Sequence, residues 1–164
     1  MRNLVIILRM TNSCNLNCTY CYDKKNHLKI RNESHRVKEN IENMKQYIKK
    51  LNPNEKERSR IIFHGGEPLL INATVYEELI KSIKEILPNA QFSIQTNGTL
   101  ITKEHIEVFK RYNVSVGISI DGYNEEQNYC RIYKNGNNSF KVVMKKIKKI
   151  QESGLNLRYY NDIV

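Results

Sequence analysis

The sequence predicts an α/β fold built on a parallel sheet. Two observations predict it: short apolar runs of strand length alternate with segments whose apolar residues recur three or four positions apart, and the runs end at Gly, Asn or Asp turn signals. Strand, helix, strand at this regularity is the pattern of βαβ units. If the sheet curls toward a barrel, handedness puts the helices on its outside.

Leu4-Val5-Ile6-Ile7-Leu8 reads as a first, buried strand. It is too short for a signal-peptide core, and no apolar run approaches the roughly 18 to 20 residues that span a bilayer, so a cytoplasmic protein without a membrane partner is expected. Val37, Ile41, Met44, Ile48 and Leu51 mark residues 33–51 as an amphipathic helix, ended by Pro53 and the polar run NPNEKERSR. Arg60-Ile61-Ile62-Phe63-His64 follows as a strand and runs into the Gly65-Gly66 turn. Leu79, Ile80, Ile83, Ile86 and Leu87 outline a second helix, closed by Pro88.

Gln91-Phe92-Ser93-Ile94-Gln95-Thr96 is a strand ending at Asn97-Gly98. Thr102 is suited to cap a third helix that carries Ile106, Phe109 and Tyr112. Ser115-Val116-Gly117-Ile118-Ser119-Ile120 repeats the strand pattern and ends at Asp121-Gly122. A fourth helix spans residues 139–153 with Gly154 as its stop, and Asn156-Leu157-Arg158-Tyr159-Tyr160 begins another strand. With no low-complexity linker and no repeat beyond this alternation, residues 1–164 read as one domain.

The chain has 27 Lys and Arg against 17 Asp and Glu, a formal net charge of +10. The lysines are spread along helices, as in the run from Lys141 to Ile150, where they alternate with apolar residues and form a solvated face. No nucleic-acid partner is expected from such a distribution.

The distinctive loops all follow strands and so converge on the carboxyl edge of the sheet, where α/β proteins keep their sites. Three of the four cysteines stand together there, as Cys14, Cys18 and Cys21 in the stretch TNSCNLNCTYCY. Their neighbours Asn12, Asn15, Asn17 and Thr19 are polar and loop-forming, which argues against a buried apolar role. Thiolates at this spacing suit zinc or an iron-sulfur cluster. A closed zinc site needs a fourth ligand, for which His27, His64 and Cys130 are the candidates. A four-iron cluster held by three cysteines instead leaves one iron open.

Cys14, Cys18, Tyr20 and Cys21, as C-x3-C-x-(aromatic)-C, resemble the signature of the radical S-adenosylmethionine (SAM) enzymes. Phe63-His64-Gly65-Gly66-Glu67-Pro68-Leu69 resembles that superfamily's glycine-glycine-glutamate motif, in sequence and in position. Gln95-Thr96-Asn97-Gly98 and Gly117-Ile118-Ser119-Ile120-Asp121-Gly122 resemble its third- and fourth-strand motifs. The wording is most similar to the peptide- and protein-modifying branch, which includes the anaerobic sulfatase-maturating enzymes.

The resemblance implies a partial (β/α) barrel with parallel strands, and a [4Fe-4S] cluster on Cys14, Cys18 and Cys21 with SAM on its remaining iron. Reduction of that cluster would cleave SAM to a 5′-deoxyadenosyl radical, with the cofactor supplying the difficult chemistry. Gly65 and Gly66 would let the backbone approach the methionyl end of SAM, and Glu67 would accept from its ammonium group. Thr96, Asn97 and Ser119 would contact ribose or carboxylate, Arg131 would pair with the carboxylate, and Tyr20 would pack on the adenine. No catalytic acid or base is assigned. Asp121 is suited equally to shaping its Asp-Gly turn and to touching a ligand, His64 is read as filling space and Cys130 as a lone thiol.

The implied partners are a peptide or protein substrate and a flavodoxin- or ferredoxin-like electron donor. The superfamily core has six βα units and this chain about five strands, so the barrel is expected to be incomplete at the C-terminus and to be completed by a further segment or a partner chain. Two other readings stand beside the enzyme: a zinc-stabilised binding module of Cys3His type, and a cluster- or SAM-binding fragment without turnover.

Overall fold

In the computed structural model, which describes residues 4–26, 33–50 and 59–161, five parallel strands pair in sequence order. They are β1 (Leu4–Thr11), β2 (Ser59–Gly65), β3 (Gln91–Thr96), β4 (Ser115–Ile120) and β5 (Leu157–Asn161). Parallel neighbours cannot be joined by a tight turn. The crossovers described are helical: α1 (Glu33–Lys49), α2 (Ala73–Ile86), α3 (Lys103–Arg111) and α4 (Phe140–Ser153).

Successive residues of a strand face opposite sides, and here the two sides differ. Leu8, Ile61, Phe63, Phe92, Ile94, Val116 and Ile118 are buried in one cluster with Met44 and Ile48 of α1, Tyr76 and Ile80 of α2, Phe109 of α3 and Ile147 of α4. Phe63, Tyr76 and Phe109 form its aromatic centre, with Tyr76 edge-on to both neighbours. The other side is open and largely polar: Arg60 is exposed, Ser93, Gln95, Ser115 and Ser119 are partly exposed, and Val5 and Ile7 stand 50% and 65% exposed.

The strand bounds fall within a residue of those read from sequence, except that β1 runs three residues past Leu8 to Thr11. Tyr112 caps α3 from just beyond its last turn rather than lying within it. Gly154 ends α4 at φ 73°, a left-handed conformation that glycine adopts without strain. Leu51 and Pro53 lie outside the described residues, as does the side chain of Val37.

Thr102 caps α3 as expected, and the box is closed by histidine instead of the usual acid. Its Oγ1 accepts from the His105 backbone N–H, and the His105 ring nitrogen Nδ1 accepts from the Thr102 N–H at 3.4 Å. The ring's other nitrogen meets the Ile71 carbonyl at 2.9 Å. Burial holds His105 below its ordinary pKa, so between the folded and unfolded values the unfolded chain binds more protons. Stability should therefore be complete above about pH 6.5 and decline below it, by up to about 1.4 kcal/mol per pH unit. Urea titrations at pH 7.5 and 5.5 test this: His105→Gln should be less pH-dependent than the parent, and an unchanged dependence would refute it.

Candidate functional site

β1 ends at Thr11 and releases the cysteine-bearing loop over the carboxyl edge of the sheet. Two neighbours clamp that loop by its backbone. On one side the Gly66 N–H donates to Thr11 O at 2.8 Å and the Glu67 N–H to Ser13 O at 2.7 Å. The approach is so close that a Cβ on Gly65 would lie 2.3 Å from Thr11 O, and one on Gly66 2.2 Å from Ser13 O. On the other side lies the segment between β4 and α4. Its Ile132 and Cys130 carbonyls accept from the Asn17 and Thr19 N–H groups at 2.7 and 3.0 Å, and Tyr133 bridges Leu16.

Side chains complete the attachment. Arg9 donates to Asn12 and pairs with buried Asp23, which holds the two ends of the loop to β1. The Asn97 amide nitrogen donates to Asn15 Oδ1 at 2.9 Å and lies 3.9 Å from Cys14 Sγ. Asn97 Oδ1 in turn accepts from the Thr99 N–H and hydroxyl.

Within this frame Cys14, Cys18 and Cys21 line one cavity of about 290 Å3. Tyr20, Gly65, Gly66, Thr96, Asn97, Ser119 and Arg131 line it with them, so residues read from five separate stretches of sequence meet. Cys130 does not; it is a half-buried thiol. None of the four cysteines is in a disulfide. Burial pushes the Cys14 thiol up to about 11 and raises Cys18 as well, the latter partly offset by the charge of Arg131. Thiols held this high keep their protons until a metal displaces them.

Glu67 departs from expectation. Its side chain is fully buried and does not line the cavity. The carboxylate accepts from the Leu69 N–H at 2.8 Å, the Thr96 hydroxyl at 2.6 Å and the Asn97 N–H at 2.8 Å. It ties the end of β2 to the end of β3 from within, with both oxygens engaged by these three donors. Burial raises its pKa against the pull of those donors. The Thr96 hydroxyl, which donates to Glu67 and accepts from the Gly98 N–H at 3.0 Å, is likewise committed to the framework.

The two glycines serve the loop as well: while both line the cavity, a Cβ on Gly65 would meet the backbone of Thr11 and one on Gly66 that of Ser13. Asp121 does more than shape a turn. It accepts from the Tyr20 hydroxyl at 2.7 Å and pairs with Arg131 at 3.6 Å, while Arg131 donates to the same hydroxyl at 2.7 Å. Tyr20, Asp121 and Arg131 thus form a closed polar triangle on the cavity wall. Ser119 accepts from Gln95 Nε2 at 2.8 Å, and its own O–H has no acceptor among the described residues.

The donor set can be tested against both metals named above. Among the described residues, no group of three or more His, Cys, Asp or Glu side chains is arranged to hold a single ion. His64 reaches the cavity, but its Nδ1 accepts from the Gly65 N–H at 2.8 Å; His27 lies outside the described residues. A four-iron cluster asks less convergence, since each thiolate binds a different iron. Three thiols spaced around one cavity fit that demand.

Leu16, Tyr22, Asp23 and Gln95 line the cavity without a role assigned from the sequence, and Asp121 supports its wall through Tyr20. The alternation of Gln91, Ser93 and Gln95 in a strand otherwise made of Phe92, Ile94 and Thr96 is the signal that could have marked an open polar face.

Comparison with known proteins agrees with this geometry. The family model of the radical SAM superfamily matches residues 8–162. A cysteine-type anaerobic sulfatase-maturating enzyme of Clostridium novyi (strain NT) is 34% identical over 154 residues, 90% of this chain and 40% of that protein. The radical SAM cyclopropyl synthase TigE of Paramaledivibacter caminithermalis is 32% identical over 97% of this chain and 35% of its own length. Among solved structures, anSMEcpe with bound AdoMet and the Cp18Cys peptide superposes with a TM-score of 0.76 at 26% identity, covering 94% of this chain and 41% of that one. The chain therefore spans about 40% of the length of such relatives.

Proposed function

Because the chain belongs to the radical SAM superfamily, we propose that it holds a [4Fe-4S] cluster on Cys14, Cys18 and Cys21, binds SAM beside it, and modifies a peptide or protein. When bound, this pair supplies a one-electron cleavage of the sulfonium that releases a 5′-deoxyadenosyl radical able to abstract hydrogen. The observation that carries the reading is the meeting of three thiols with the strand-end motifs around one cavity. The peptide substrate rests on the Clostridium novyi enzyme and on the peptide held by anSMEcpe.

The chain's own residues orient and enclose. Gly65, Gly66 and Glu67 fix the cysteine loop by backbone contacts, while Thr96 and Asn97 brace it from β3. Ser119 offers a hydroxyl proton to a ligand oxygen. Arg131, 8% exposed, presents a guanidinium toward a carboxylate, and the Asp121 bond holds Tyr20 across the cavity mouth to exclude water. The electron donor is a flavodoxin- or ferredoxin-like protein, and the setting is the cytoplasm, where thiols stay reduced. Residues 1–164 act as one partial core domain, and β5 takes a further strand from a C-terminal segment or a partner chain. An unpaired parallel edge would otherwise invite association.

Anaerobic reconstitution with iron and sulfide, then reduction with SAM, tests the proposal. A cluster spectrum followed by 5′-deoxyadenosine is expected; tight zinc in place of a cluster would overturn it, and a cluster without 5′-deoxyadenosine would leave a binding fragment. Cys18→Ala should lose the cluster, reducing bound iron from about four per chain toward zero. Cys130→Ala should retain it, since that thiol lies outside the cavity. Equal iron in Cys18→Ala and the parent would refute the ligand set.

A further inference from the structure

A second cavity, of about 270 Å3, opens at the opposite edge of the sheet, where the strands begin. Three cations line it, Arg60, Lys84 and Arg158, and no carboxylate among the described residues does. Arg60 and Arg158 are both exposed, one on β2 and the other on β5. Lys84 on α2 is partly occupied, with its Nζ 3.5 Å from Pro88 O and 6.0 Å from the Phe92 ring centre. Gln91 and Ser93 of β3 add neutral hydrogen-bonding groups between the cations.

The two cavities are the ends of one surface. On β3, Gln91 and Ser93 line the basic cavity and Gln95 lines the cysteine cavity. On β4 the corresponding residues are Ser115 and Ser119, and on β2 they are Arg60 and His64. Residues two apart in a strand share a face, so all of these lie on the open side of the sheet, away from the helices. Four residues separate the ends on β2, from Gln91 to Gln95 on β3, and on β4, roughly 13 Å at about 3.3 Å per residue, while Arg158 on β5 stands in register with Gly117, between Ser115 and Ser119.

An extended peptide advances by about the same amount per residue. With one residue at the cysteine cavity, the residue about four positions away therefore arrives among the cations. We infer that the substrate is a peptide with an acidic side chain about four positions from the residue that is modified, and that Arg60 and Arg158 receive it. This rests on the peptide-modifying reading above. The charge balance of 27 basic against 17 acidic residues suits such a partner and would repel a basic one.

The test uses the anaerobically reconstituted protein with SAM and fluorescein-labelled alanine-based peptides. Each carries one cysteine and one glutamate placed two, four or six positions away, and a glutamine version of the four-residue peptide serves as reference. Fluorescence anisotropy should show the glutamate peptide with the four-residue spacing binding about tenfold more tightly than its glutamine counterpart, as for a charge-assisted hydrogen bond. The preference should shrink with salt and disappear in the double variant Arg60→Gln/Arg158→Gln, whose side chains are exposed and outside the core. Equal affinity for glutamate and glutamine, indifference to spacing, or a preference retained in the double variant would each overturn the inference. Formation of 5′-deoxyadenosine without peptide reports separately on the underlying reading. If it forms and the glutamate preference is absent, only the acidic-peptide inference fails; if it does not form, the underlying reading fails while the affinities still report on the basic cavity.

Discussion

Glu67→Ala is expected to lower the unfolding free energy by about 4 kcal/mol, a large share of the 5 to 15 kcal/mol typical of a domain. The carboxylate is the shared acceptor for the Leu69 N–H, the Thr96 hydroxyl and the Asn97 N–H, and all three residues are buried. Removing it strands those donors at about 1 to 3 kcal/mol each, less whatever the Thr96 hydroxyl recovers by rotation, and leaves a void. Glu67→Gln keeps the volume and one acceptor oxygen but turns an N–H toward a donor, so about half the loss is expected. Urea unfolding followed by circular dichroism measures both. A Glu67→Ala protein within 1 kcal/mol of the parent, with weakened SAM binding, would restore Glu67 to the role of a ligand contact.

Gly66→Ala should nearly abolish cluster incorporation, with bound iron after reconstitution falling below about a tenth of the parent's, and should cost about 2 to 3 kcal/mol of stability. The added methyl would sit 2.2 Å from Ser13 O, 2.6 Å from Ser13 C and 2.8 Å from Asn12 O. These are backbone atoms, which cannot rotate aside, so the loop that carries Cys14 must lift. Gly136→Ala is the control. Its φ of 85° also disfavours a side chain, yet nothing lies within 4 Å of the added carbon. It should lose about 1 kcal/mol and keep its iron. Full iron content in Gly66→Ala would show that the loop does not depend on this contact.

The strands were legible because one face of each is buried: Phe92, Ile94 and Thr96 alternate with Gln91, Ser93 and Gln95 along β3. The helix ends were legible where one residue's chemistry sets them, as at Thr102 and Gly154. Less of the site could be read. Most residues named from the sequence meet around one cavity, but the direction in which a side chain points is a property of the packed sheet. Glu67 and Thr96 resemble ligand contacts in a motif, yet bond to each other at 2.6 Å, Glu67 behind the cavity wall and Thr96 within it. Asp121 was suited to a turn or a ligand contact and instead meets Tyr20, 101 positions earlier in the chain.

By itself the sequence determined the parallel α/β alternation, the order of the strand-end motifs and the presence of three thiols in one polar loop. These follow from local rules: side-chain periodicity, turn chemistry and ligand spacing act within a few residues. Only the tertiary structure decided which polar groups face the cavity and which are spent on the framework. That division arises because a buried carboxylate must find donors wherever the fold brings them, and because Gly65 and Gly66 are needed for a backbone approach from a loop some fifty residues earlier in the chain. The open basic end of the sheet was also decided there, since Arg60 and Arg158 are neighbours only through the strands that lie between them.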